Sequence, residues 1–268
     1  MHGVHHRPLQ NPPRVPRSND GERRAFRNPL SIVVAIVIVI TPAVLGVIGL
    51  LRGELYARHH ATSVLTKVVE CVTEDRASVS LGARPLLLQL MTGEFSGISI
   101  ETAGNQFREA KGMKVHMQIA ELRLQNTGSS RVTLDSVYAD ISWSNDGIKQ
   151  TLQDAIPLFG GLITAVTTKP SDGTIELHTG LGSITARPQL ADGGLALQVL
   201  IVGGFGFMPP RESLQRPLDV FASTLRTSMP ADMHADSLQL TDTGVSARFS
   251  ARHAIIPLTR GDACLAGP

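Results

Sequence analysis

The side chains of this chain that could do chemistry are few and do not converge. His59 and His60 are adjacent on one helical pattern, while His116, His178, His234 and His253 are scattered among strand patterns, so no metal-ligating cluster forms. His2, His5 and His6 could grip a metal ion, but they sit in a Pro- and Arg-rich stretch that reads as a solvated tail. Asp135 and Asp140 could pair for glycoside chemistry, although isolated strand carboxylates are ordinarily solvated. There is no Gly-x-Ser-x-Gly elbow, His-Glu-x-x-His, Walker loop or Cys-x-x-Cys pair. Gly204-Phe205-Gly206 is followed by Phe207-Met208-Pro209 and fails the dinucleotide pattern. The sequence therefore predicts no catalytic residues, no metal and no cofactor.

The elements that must position any site begin with residues 30–51, LSIVVAIVIVITPAVLGVIGLL, 22 positions without a charged side chain. As a helix this run spans about 33 Å, enough to cross a bilayer core of about 30 Å. Pro42 is tolerated in such a span. Six Arg against Asp20 and Glu22 give residues 1–29 a charge of +4, which predicts a disordered basic tail kept in the cytoplasm. Residues 53–268 then form one exported domain beyond the inner membrane. The alternative is a signal cleaved near Val47-Ile48-Gly49 and a secreted product, but the run is long for a signal and its exit site weak.

Removing the tail leaves 19 basic and 21 acidic residues, or −2, so nothing favours nucleic acid as a partner. Cys71 and Cys264 both fall in the exported region, where they are expected to pair and close a loop of nearly the whole domain.

Apolar spacing at Ala61, Val64, Leu65, Val68 and Val72 continues the anchor into an amphipathic helix. Leu86 to Met91 form a short helix after Pro85 that ends near Gly93. Period-two alternation predicts strands at 95–101, 113–119, 132–143, 173–178, 182–188, 195–202, 236–241 and 245–256. In the second the apolar parity changes between Ile119 and Leu122, which predicts a bulge near Ala120-Glu121. Short helices are expected over 147–155, after Ser144-Asn145-Asp146, and over 218–229, stopped by Pro230. The class is α+β: a long helix on a curved, mainly antiparallel sheet, an elongated half-barrel preceded by a transmembrane helix.

Such a sheet could enclose an apolar ligand. Leu87, Leu90, Met91, Phe95, Ile98, Met117, Ile119, Leu197, Val199, Phe221 and Leu225 are candidate lining residues, though an ordinary core has the same periodicity. Residues 156–163 and 202–210 join Gly-rich loop chemistry to bulky apolar side chains, making Phe159, Phe205, Phe207 and Met208 candidates for membrane contact. Buried connections are the alternative.

Four stretches in order, RPLLLQLMTGEFSGISIETAG (84–104), VYADISWSNDGIKQTL (137–152), SDGTIELHTGLGSITARPQLADGGLALQV (171–199) and PLDVFASTLRTSMPADMHADSLQLTDTGVSARFSARHAIIPL (217–258), resemble the LmeA-like family of actinobacterial exported phospholipid-binding proteins. The likeness covers nearly the whole exported region. Met229-Pro230-Ala231 departs from the family's usual Leu-Pro-x-Gly. The resemblance implies a tubular-type helix-on-sheet fold with an apolar concave face. It also implies binding of phosphatidylinositol-type anionic phospholipid, alongside envelope proteins of lipomannan-type glycolipid synthesis. Two rival functions are left open: a scaffold that binds a partner's apolar segment, and a glycolipid-processing enzyme.

Overall fold

In a computed structural model the described residues are 29–125, 131–156, 160–191, 194–204, 212, 215–216, 218–220, 223, 233–257 and 264. The expected tail therefore lies outside them, as do Pro230 and most of the helix expected over 218–229. The chain divides into two units, residues 1–52 and 53–268.

The first unit contributes helix α1 (Pro29–Thr73), which runs through Pro42 and continues into the second. By length and composition it is apolar enough to cross a membrane, and Val37, Ile38, Val39, Leu45 and Leu50 are all more than half exposed.

The second unit is built from strand β1 (Ala77–Ser80), helix α2 (Leu86–Thr92), β2 (Glu94–Thr102), the small pair β3 (Gln106–Phe107) and β4 (Ala110–Lys111), then β5 (Met113–Gln125) and β6 (Arg131–Ser144). Helix α3 (Asn145–Ala155) leads to β7 (Ile163–Lys169), β8 (Thr174–Thr179), β9 (Gly182–Ala191) and β10 (Gly194–Gly204), and β11 (His234–Thr241) and β12 (Gly244–Pro257) follow. Every strand pairing among these residues is antiparallel. One sheet has the order β1-β2-β5-β6-β12-β11 and another the order β10-β9-β8-β7. The fold is thus α+β and mainly antiparallel. Its larger sheet keeps two edges, β1 and β11, so it is open, as a half-barrel requires.

The parity change read in β5 is real, but no extra residue is inserted there. Pairs Ile119↔Val137 and Leu122↔Leu134 keep one register, as do Ile98↔Ile119 with Ser96↔Glu121 and Arg252↔Ser136 with Ala254↔Leu134. Four adjacent strands change parity in the same row. Inward residues pass from Val137 to Leu134 on β6 and from Ala251 to Ala254 on β12, while Gly97 (φ 69°) on β2 and His253 (φ 54°) on β12 take left-handed backbone. Val132, Leu134, Val137, Ala251 and Ala254 nevertheless form one buried cluster, so a single apolar face continues across this crease. When all strands turn together, no register is lost.

Local capping follows the sequence. Gly93 closes α2 in the left-handed conformation, its N–H donating to the Gln89 carbonyl at 2.9 Å. The Ser144 hydroxyl caps α3 by accepting the Gly147 N–H at 3.1 Å. Strand β7 was not foreseen, because its inward positions Ile163, Val166 and Thr168 do not alternate strictly. The cysteines are bonded, with 5.7 Å between Cα atoms, which ties the end of α1 to Cys264.

Candidate functional site

The main buried cluster lies where α3, the β6–β12 end of the larger sheet and the four-stranded sheet meet. Trp143 and Val245 are cross-strand partners on β6 and β12. Trp143 is fixed by its indole N–H, which donates to the Lys111 carbonyl at 2.7 Å. Ser144 starts α3 so that Ile148 and Leu152, one turn apart, fall on the inward face. Thr151 beside them donates to the Gly147 carbonyl and accepts the Lys111 N–H, each at 2.8 Å, so this polar group is satisfied inside an apolar layer.

A cleft opens in this cluster. Its walls are Trp143, Ile148, Leu152 and Val245 on one side and Ile175, Leu177, Ala186, Pro188 and Leu197 on the other, with Leu218 closing it. The free space is about 30 Å³, the room of roughly one water molecule, and no polar residue lines it. Gln215 lies three residues before Leu218. The Gln215 amide accepts the Val199 N–H at 2.9 Å and donates to the Leu197 carbonyl at 2.6 Å, so one side chain completes the outer edge of β10.

The sequence-predicted lining residues do not come together in one place. Leu197 lines the cleft, and Val199 is buried in the same cluster. Met117 and Ile119 pack instead on the second cluster across the crease. Ile98 is buried, Leu87 and Phe95 are half-buried, and Leu90 and Met91 stand exposed on α2 at 57% and 86%. Phe221, Leu225, Phe159, Phe205, Phe207 and Met208 lie outside the described residues. The cleft walls outside the expected lining set are Trp143, Ile148, Leu152, Ile175, Leu177, Ala186, Pro188, Leu218 and Val245. Ile148 and Leu152, spaced one turn apart behind a Ser cap, carried a legible signal.

Several ionisable groups outside the cleft are paired. Asp140 pairs with Arg248 at 2.7 Å and raises the guanidinium's affinity for its proton, while Asp135 faces His253 at 3.7 Å. Lys169 and Glu176 pair at 2.6 Å; the hydrogen bond from Lys169 holds Glu176 below the usual carboxylate range and Lys169 is correspondingly raised. Among the described residues, no three His, Cys, Asp or Glu side chains gather as a metal site would need.

Residues 51–250 match the LmeA-like phospholipid-binding family. The chain belongs to that family. Uncharacterized proteins of Mycobacterium bovis and Mycobacterium tuberculosis are 47% identical to it over 238 residues, covering 88% of this chain and 68% of each relative. No solved structure matches. Membership supports phospholipid binding, and the match to the LmeA-like family begins at the end of the apolar run and closes inside β12.

Proposed function

We propose that this LmeA-like chain is a membrane-anchored, exported, non-enzymatic phospholipid-binding protein. Residues 30–51 would form the anchor, with the basic N-terminal tail in the cytoplasm and residues 53–268 in the cell envelope. The lipid would be an anionic phosphatidylinositol type, bound or presented in support of lipomannan-type glycolipid synthesis.

The observation that carries this reading is the wholly apolar cleft beneath Leu218 in a chain of this family. Its present room is too small for an acyl chain. Lipid entry therefore requires the walls of the cleft to part, and we take the Gln215 side chain, three residues before Leu218 and bonded twice to the edge of β10, as a contact that would yield. The two bonds are worth about 1 kcal/mol each, weak enough for a lipid to displace. The bonded cysteines agree with an oxidising compartment.

The test is native mass spectrometry of the full chain released from membranes. Copurifying phospholipid, with inositol lipids enriched over the bulk membrane composition, supports the proposal. An empty protein, or one that turns over a lipid-linked sugar, would overturn it.

A further inference from the structure

Helix α2 shows large apolar side chains to solvent that its own domain does not use. Leu86 and Gln89 face inward, at 2% and 4% exposure, and the Gln89 amide accepts the Ser96 N–H at 2.8 Å and donates to the Arg84 carbonyl at 2.9 Å. This fixes the rotation of the helix. Leu88, Leu90 and Met91 are left 55%, 57% and 86% exposed on a helix of seven residues.

Glu54 places α2. Its carboxylate accepts the Leu86 N–H at 2.5 Å and the Leu87 N–H at 3.0 Å, which caps a helix that Pro85 leaves uncapped. Arg58 pairs with Glu54 at 2.6 Å and donates to the carbonyls of Gly82 and Arg84. The backbone hydrogen bond from Leu87, then that from Leu86, holds the Glu54 carboxyl below the usual carboxylate range.

Glu54 is three residues beyond Leu51, the end of the apolar run. Three residues reach at most about 11 Å even when fully extended. The polar layer on each side of the hydrocarbon core is about 5–8 Å deep. A segment hydrogen-bonded to Glu54 is thus confined near the membrane surface if the run spans the bilayer. Leu55 and Tyr56, 67% and 74% exposed, follow Glu54 directly, and the exposed Arg84 lies two residues before Leu86, the composition expected where acyl chains give way to anionic headgroups.

We propose that α2 is an interfacial foot: Leu88, Leu90 and Met91 enter the outer leaflet, while Arg84 meets lipid phosphates. The occupant of this face is the bilayer itself. The inference rests on the reading that residues 30–51 remain as an anchor, but not on lipid being held in the cleft.

The test uses the full chain with Met91→Trp, reconstituted into phosphatidylcholine and phosphatidylglycerol vesicles whose acyl chains carry bromine. Trp at position 91 should lose most of its emission and recover it when the vesicles are dissolved in detergent. Leu181→Trp, at another exposed apolar position, should be unaffected. Leu88→Trp repeats the measurement on the same helix should Met91→Trp disturb the fold. Equal quenching at 91 and 181, or none at 91 and 88, overturns the foot. Quenching that survives solubilisation marks one retained lipid and overturns it too. Failure of the full chain to float with carbonate-washed vesicles removes the anchor and the foot together. Absence of copurified phospholipid would remove the binding function while leaving quenching at 91 in place.

Discussion

Gly82 and Gly97 pass so closely that a Cβ on Gly97 would stand 3.1 Å from the Gly82 Cα, and a Cβ on Gly82 would stand 2.8 Å from the Ser96 carbonyl oxygen. This contact sits at the β2 end of the crease, where Gly97 has a φ of 69°. Gly97→Ala is expected to lower stability by about 1–2 kcal/mol from backbone strain alone, with more from crowding. Gly82→Ala should cost a similar amount through its clash with backbone. Gly180→Ala, which meets nothing within 4 Å, should be close to neutral. Urea midpoints of the three variants check the set.

Acid should weaken the segment that follows α1. Asp75 is 8% exposed, and its carboxylate accepts the side-chain amide of Asn105 at 2.8 Å and the backbone N–H groups of Asn105, Arg76 and Gly104 at 2.8–3.0 Å. Burial raises its proton affinity, but these hydrogen bonds outweigh burial and hold the carboxyl below the usual range. The unfolded chain therefore binds more protons, so stability rises with pH. The contribution of Asp75 is complete above the unfolded value of about 3.9 and is lost as pH falls through the lower folded value. Asp75→Asn should destabilise the domain by about 1–3 kcal/mol at neutral pH and flatten the acid limb of a stability–pH curve. An unchanged acid limb in that variant would refute the assignment.

Breaking the Cys71–Cys264 bond opens a loop of 193 positions. In the chain-entropy treatment this costs about 5 kcal/mol, and less where the unfolded chain retains structure. Cys71→Ser, Cys264→Ser and the double variant should unfold at the same lowered midpoint, because each removes the same link. Thermal melts with and without reductant should differ for the parent protein and coincide for all three variants.

The strands were legible because one face of each is apolar, and period two survives whatever tertiary arrangement uses it. The parity change at Ile119 and Leu122 was legible for the same reason. Its cause was not, since a local bulge in one strand and a crease through four give β5 the same pattern. The cleft was less visible. Trp143 and Val245 meet across strands about a hundred residues apart in sequence, and α3 and β8 meet them through packing that periodicity does not encode. Leu90 and Met91 were grouped with lining residues because a seven-residue helix apolar at five positions does not reveal its inward face. Gln89 decides it, by hydrogen bonds reaching Arg84 and Ser96.

Two apolar clusters compete as the place where a lipid chain lies, and one pair of substitutions separates them. Leu197 is half-buried on the wall of the cleft, and Ile119 is half-buried on the cluster across the crease. Leu197→Trp adds volume where about 30 Å³ is free, so it should displace bound lipid at an overpacking cost of about 1–3 kcal/mol. Ile119→Trp imposes a comparable strain elsewhere and should leave the lipid in place. Phospholipid copurifying per mole of folded full chain, counted by native mass spectrometry, should fall several-fold for Leu197→Trp alone. The reverse result would move the lipid to the Val132–Val137–Ala254 face. Gln215→Ala supplies the opposite perturbation: by removing both side-chain hydrogen bonds to the edge of β10 it should speed lipid exchange without lowering the amount bound at equilibrium.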